Sequence, residues 1–281
     1  MTDRLLRAAP STTHRRPDGR PRCPGPTSSE LTACSWVTTR PDHDARTERV
    51  DGDAIDDDDD RVHGPGSRNK LTPSHARHYP GDAPLDVAGR ALCAVHCLPR
   101  KELHEAYEMA LRVSARSVHG GRVVDLCCGH GLLAQLLLVL DARFTHAVAV
   151  DRWLPKNHAI VHAALVGAFP SLAGRVAFVQ AALHEADVGA ADIVVSSHAC
   201  GPLTDDVLAR AVEAGACVAV LPCCHHTRPR DDLRGHDDPA AVIDDERVQR
   251  LRARGYVVDV DAIPADVSPK NRLLLARPLV A

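Results

Sequence analysis

From Gly121 onward the chain alternates short apolar strands with helical segments, and this alternation limits the fold more than any other feature. "GRVVDLC", "THAVAVD", "GRVAFVQAAL", "ADIVVSS" and "ACVAVLPCC" are apolar on consecutive residues instead of every second one. Such runs suit strands buried on both faces of a sheet. "LLAQLLLVL", "HAIVHAALVGAF", "TDDVLARAVEA" and "AVIDDERVQRLRARG" read as helices. Ahead of them "KELHEAYEMALRVSARSV" places Leu103, Tyr107, Ala110, Leu111 and Ser114 at helical spacing. Five apolar strands with helical crossovers imply a mostly parallel sheet with helices on both faces. The closing pair, "YVVDVDAIP" and "NRLLLARPLV", is joined only by "ADVSPK" and is expected to pair antiparallel.

The first 80 residues are of another kind. Segments such as "HRRPDGRPRCPGPTSS" and "DGDAIDDDDDRVHGPGSRN" hold apolar residues that are scattered and never periodic. They cannot bury enough surface to offset the entropy of ordering the chain. We therefore expect a disordered low-complexity tail over 1–80 and one globular domain over 81–281. Asp56–Asp60 lacks the glycine and distal glutamate of a calcium loop and reads as a solvated acidic tract. No apolar stretch follows the basic start, and no run approaches the roughly 18 residues of a membrane span. A cytoplasmic location is the expectation. Residues 81–281 carry 24 acidic and 21 basic side chains, which counts against non-specific binding of polyanions but leaves room for a local basic groove. The ten cysteines, two pairs of them vicinal, have no spacing typical of a secreted disulfide framework and read as free thiols.

"DLCCGHG" ends the first strand, where an open α/β sheet binds its ligand. Gly129 and Gly131 let the backbone approach a ligand closely. Twenty residues beyond Gly131, Asp151 ends the second strand, where a carboxylate accepts both hydroxyls of a ribose. The same letters also fit Gly-x-Gly-x-x-Ala, with Ala134 third, the fingerprint of a nicotinamide dinucleotide site. Two features weigh against that alternative. Asp125 would set a carboxylate beside a loop meant for a pyrophosphate, whereas a methionine-derived ligand brings a positive ammonium and sulfonium. The terminal antiparallel pair also replaces the second βαβ half usual in a dehydrogenase. The arrangement is that of the S-adenosylmethionine methyltransferases. The expected fold is thus α/β, Rossmann-like and of class I, a mostly parallel seven-stranded sheet with an antiparallel last strand.

The next strand ends carry a narrower signal. "SSHACGPLTDD" follows the fourth strand and "LPCCHHTR" the fifth. With "CLPRKELHEAYE" and "SPKNRLLLA", these segments resemble a methyltransferase-domain family that includes the eukaryotic tRNA acceptor-stem 2′-O-methyltransferases, over about residues 93–280. The resemblance implies S-adenosylmethionine as cofactor, Gln180 and Ala181 beside its adenine, and RNA, tRNA in particular, as the acceptor. The cysteine-rich zinc modules that accompany the tRNA enzymes are missing from this chain.

From the residues themselves, Asp151 would fix the ribose, and Asp125, Cys127 and the Gly129–Gly131 backbone would line the methionine end. His198 projects on the acceptor side, as a general base or as a loop histidine bonded to backbone. Cys200 is the candidate nucleophile, though "HACG" offers it no evident activating partner. Arg100 and Lys101 read as solvated, and Trp153 as an adenine neighbour or a core filler. His198, Cys200, Cys223, Cys224 and His225 should share one rim with Cys127 and Cys128. Neither vicinal pair has Cys-x-x-Cys spacing, however, and adjacent strand residues point to opposite faces. Small apolar packing is therefore preferred to zinc, and no metal ligand is assigned. A catalytically silent binding module is the alternative to an enzyme.

Overall fold

The computed structural model describes residues 70–279 other than Val118. The acidic tract and most of the expected tail lie outside the described residues. A seven-stranded sheet, in the order β3-β2-β1-β4-β5-β7-β6, is built from β1 (Gly121–Leu126), β2 (Phe144–Asp151), β3 (Val176–Gln180), β4 (Ile193–Ser196), β5 (Cys217–Val220), β6 (Tyr256–Ala262) and β7 (Arg272–Pro278). The first five strands pair parallel, and β7 runs antiparallel between β5 and β6. This is the expected fold. After β5 the sheet closes on the β6–β7 hairpin, and no second βαβ half follows.

Consecutive strand residues feed two cores. Val123, Ile193, Val195, Ala219, Leu273 and Leu275 face one side, packed by α1 (Pro84–Val95), α2 (Arg100–Arg116), α3 (Leu132–Leu140) and α4 (His158–Ala168). Val124, Val194, Val218, Val220, Leu274 and Ala276 face the other, packed by α5 (Pro202–Ala214) and α6 (Pro239–Ala253). Burial on both sides is why these strands are apolar at every residue.

Order begins earlier than the sequence boundary at residue 81. Leu71 and Tyr79 are buried, the Leu71 N–H donates to Leu98 O at 2.8 Å, and the Tyr79 hydroxyl bonds His104 Nε2 at 3.0 Å. Two apolar anchors in a polar decapeptide have no periodicity, so composition alone could not separate them from the tail. The helix α1 was likewise not anticipated.

The side of the sheet formed by β4 and β5 is tied to α6 by one buried cation. Arg247 is 1% exposed. Its guanidinium donates to Asp244 Oδ1 at 2.9 Å, to Asp205 Oδ2 on α5 at 2.9 Å, and to the Gly201 carbonyl at 3.0 Å. Asp244 Oδ1 also bonds His225 Nε2 at 2.9 Å, so the loops after β4 and β5 hang from the same charges. Removing one member of such a buried set leaves its partner charged without compensation. Arg247→Ala is expected to lose about 3–5 kcal/mol in urea unfolding, and Arg247→Met combined with Asp244→Leu to lose clearly less.

Candidate functional site

All five parallel strands end on one rim, and the side chains singled out in the sequence lie along it. Asp125 pairs in register with Ala149 of β2 and Val195 of β4. It is 1% exposed, and its carboxylate accepts the Ala134 N–H in the first turn of α3 at 3.2 Å. Burial, helped by the nearby Asp151 charge and opposed by the Ala134 N–H, pushes its carboxyl up to about 8. The acid is therefore proton-bearing near neutrality until a positive group arrives.

The loop from Cys127 to Gly131 turns sharply: Cys127, Gly129 and Gly131 all have positive φ. Cys127 adopts this conformation despite its side chain, at φ 57°. Its thiol is pushed up to about 12 by burial and by the Asp151 and Asp125 charges, and that of Cys128 higher still by burial. Neither is poised as a nucleophile. The two glycines differ. A Cβ on Gly131 would stand 2.6 Å from Phe178 Cε1 and 3.2 Å from Ala149 Cβ, so this glycine is needed for close packing of the helix start on the sheet. A Cβ on Gly129 would meet nothing within 4 Å, so the backbone there faces open space.

Asp151 closes the other side of that space. Its Oδ2 accepts the Gly129 N–H and its Oδ1 the Trp153 N–H, both at 2.9 Å. Gln180 lies opposite it in register on β3, and the Ala181 N–H donates to Asp151 O at 3.0 Å. Asp125, Cys127, Gly129, Gly131, Asp151, Gln180 and Ala181 thus form one continuous border. Trp153 is 71% exposed beside it and fills no core. Lys101 pairs with Glu105 at 3.6 Å. His130 belongs to no cluster of metal-ligating side chains among the described residues. It spans Glu102 at 3.2 Å and Asn157 at 3.0 Å, pinning the loop between α2 and α4. Burial works against its proton, but the Glu102 and Asn157 bonds prevail and raise its pKa. Sequence inspection missed Glu102 and Asn157, because nothing local marks contacts made 28 and 27 residues away.

Farther along the rim, His198 is half-buried and makes no hydrogen bond among the described residues. Cys200 stands with its sulfur 3.0 Å from that of Cys223, and the sulfurs of Cys200, Cys223 and Cys224 all lie within 4.8 Å of one another. Alternation along a strand does not separate the vicinal pair, because β5 ends at Val220 and both cysteines sit in irregular chain. The thiols share charge. Contacts from Cys200 and Cys223 push Cys224 well down; Cys200 is held up at about 11, since the Cys224 contact and burial outweigh the opposing effect of Cys223.

The border of a buried acid, an unobstructed glycine backbone and a second acid is suited to a ligand with a cationic end and a vicinal diol. Residues 100–228, which contain every one of these side chains, match the family described as "Methyltransferase domain". No curated protein matches the chain. Among solved structures, an O-methyltransferase family protein from Burkholderia thailandensis is 18% identical, with a TM-score of 0.44 over 74% of this chain and 63% of that one. The mitomycin 7-O-methyltransferase is 17% identical, with a TM-score of 0.44 over 78% and 62%. A glycopeptide N-methyltransferase solved with S-adenosyl-L-methionine is 14% identical, with a TM-score of 0.42 over 62% and 94%. The chain therefore spans under two thirds of the first two structures. The matched segment, somewhat under half of the chain, is thus similar to methyltransferase domains. The residues present would fit S-adenosylmethionine, since Asp125 is a buried acid without a cationic partner among the described residues and the Gly129 backbone stands open.

An ammonium that needs ionised Asp125 should make S-adenosylhomocysteine bind more tightly as pH rises from 6 to about 8. Calorimetry should find this dependence abolished in Asp125→Asn, with affinity at pH 8 down tenfold or more, about 1.4 kcal/mol. A raised carboxyl also means that the ligand-free protein loses stability as pH rises toward about 8, and Asp125→Asn should remove that loss. In the loop, Gly129→Ala should cost about 1–2 kcal/mol for its left-handed backbone while blocking the ligand. Gly131→Ala should cost more, because Phe178 must move as well. Thermal melts with and without S-adenosylhomocysteine separate the two.

Proposed function

We propose that the chain is an active S-adenosylmethionine-dependent methyltransferase whose acceptor is a hydroxyl, with an RNA ribose as the best candidate. The observation that carries this reading is the pair of acids at adjoining strand ends. Asp125 is buried and ready to ionise against an ammonium, and Asp151 is held rigid by two amides beside open glycine backbone. When bound, the cofactor supplies an activated methyl group on sulfur; the chain's own task is to position and deprotonate the acceptor. In this reading Asp125 holds the ammonium and Asp151 the ribose hydroxyls, while Gln180 and Ala181 border the adenine. Cys127 is a wall of the loop.

His198 is the general base. It lies in the loop after β4 without a side-chain hydrogen bond among the described residues, and in this reading its ring nitrogen takes the hydroxyl proton. Cys200 contacts the thiols of Cys223 and Cys224 and not a base that could activate it, so this reading gives it no nucleophilic role. Past the end of β5 a cleft of about 770 Å³ includes His225, Lys270, Asn271 and Arg272. Asp238, Asp244 and Asp261 line it as well, and Arg272 is paired with Asp245, so the cleft carries no excess of positive charge. The motif resemblance of His198–Gly201 and Cys223–His225 favours RNA. The scarcity of aromatic residues means that bases are not gripped by stacking.

The test is transfer of labelled methyl from the cofactor to total tRNA, with a phenolic small molecule as comparator. His198→Ala should lower kcat by about 10²–10⁴ while leaving S-adenosylhomocysteine affinity within twofold. Transfer to the phenol alone would replace RNA with a small-molecule acceptor. Unimpaired turnover by His198→Ala would remove the base assignment.

A further inference from the structure

Three thiols converge at the end of the sheet, and the methyl-transfer reading leaves all three unused. The Cys200, Cys223 and Cys224 sulfurs lie within 4.8 Å of one another, with 3.0 Å between the first two. A tetrahedral zinc with bonds of about 2.3 Å spaces its sulfurs at about 3.8 Å. The cluster brackets that spacing, so small side-chain adjustments would bring all three into place. A disulfide needs sulfurs about 2.05 Å apart, and these cysteines are free.

The framework behind the thiols is fixed. The Gly201 N–H donates to Cys224 O at 3.1 Å, joining the two cysteine-bearing loops directly. The Leu221 N–H donates to Ser196 O at 3.0 Å and keeps the strand ends level. Arg247 holds the Gly201 carbonyl from behind.

A second observation points to a cation. The side chain of His225, next in the chain, is only 6% exposed; its Nε2 bonds Asp244, and its Nδ1 is buried without a partner among the described residues. A carboxylate holding one ring nitrogen while the other stays free as a lone pair is the arrangement of metal-bound histidines. This nitrogen lies outside the three-sulfur group in the structure, so the sulfurs define the site. His225 is the natural fourth ligand once an ion draws the loop inward.

We infer that Cys200, Cys223 and Cys224 form a thiolate site for a zinc-class divalent ion, with His225 beside it. As each sulfur binds, its remaining thiol proton passes to solvent, and three thiolates with one divalent ion leave a net charge of −1. The ion would brace the loops that carry His198 and border the cleft. It takes no part in methyl transfer, and the inference does not depend on the methyl acceptor.

The experiment uses the full chain, purified under reducing conditions from zinc-supplemented medium, with metal content measured by mass spectrometry. We expect one zinc per chain, and a thiolate-to-metal charge-transfer absorption after exchange with cobalt. Cys200→Ser, Cys223→Ser and Cys224→Ser should each lower zinc affinity by more than the roughly 10–100-fold that loss of an outer-shell partner of a metal ligand costs. Cys217→Ser, at the opposite end of β5, should retain the ion in full. S-adenosylhomocysteine melting shifts confirm which variants are folded. Should the variants fail to fold, thiol titration of the unsubstituted protein decides: chelation should expose three additional reactive thiols. A reduced, folded protein that takes up neither zinc nor cobalt would overturn the site. So would zinc retained at full affinity by Cys223→Ser and Cys224→Ser, or thiol reactivity unmoved by chelation.

Discussion

The Arg247 guanidinium is the constraint on which the acceptor half of this protein depends. It is buried on the helix face of the sheet, and it bonds two carboxylates from different helices and one loop carbonyl. An isolated charge there would be prohibitively costly, so the position of each partner is dictated by the others. Asp244 passes the constraint to His225, and Gly201 passes it to Cys224. The loops after β4 and β5 are irregular in backbone, yet they are held by charge and hydrogen bonds. A rim that carries His198 and three thiols in fixed relation needs such an anchor, because irregular chain has no ladder to hold it.

The cofactor half rests on a contrast between two aspartates. Asp151 is satisfied by two backbone N–H groups and is oriented before any ligand arrives. Asp125 accepts one amide in a buried position, where burial favours the protonated acid. The first is preorganised for hydroxyl groups; the second is kept short of a counter-charge. Ligand binding is thereby linked to loss of a proton from Asp125, which favours a cationic ligand over a neutral or anionic one at the same place. A pyrophosphate would meet this acid as a repulsive partner once it ionised. In the proposed reading the same residue would help bind one class of cofactor and select against another.

Much of this was legible in sequence. Consecutive apolar residues gave the parallel strands, because burial on both faces removes the need for alternation. The short "ADVSPK" link gave the antiparallel end, and Asp125, Gly129, Gly131 and Asp151 fell where strand-end chemistry places them. What stayed hidden had no local signature. Leu71 and Tyr79 extend the packed domain before residue 81 through contacts with Leu98 and His104, and two anchors make no period. The His130 clamp joins residues from three separate segments. Arg247 reads in sequence as one more surface arginine on an amphipathic helix, and only the fold buries it.

The vicinal cysteines show where a pattern argument stops applying. Alternation along an extended strand would send Cys223 and Cys224 to opposite faces and scatter the thiols. That rule holds only while the backbone stays in the sheet, and β5 leaves it after Val220. Beyond that point the direction of each side chain is set by the hydrogen bonds from Gly201 and by Asp244's hold on His225. Once the loop is fixed from both sides, neighbouring residues can face the same way, and three sulfurs meet beside Cys200. The length of the strand, not the spacing of the cysteines, decides whether this sequence makes a packed strand end or a ligand set.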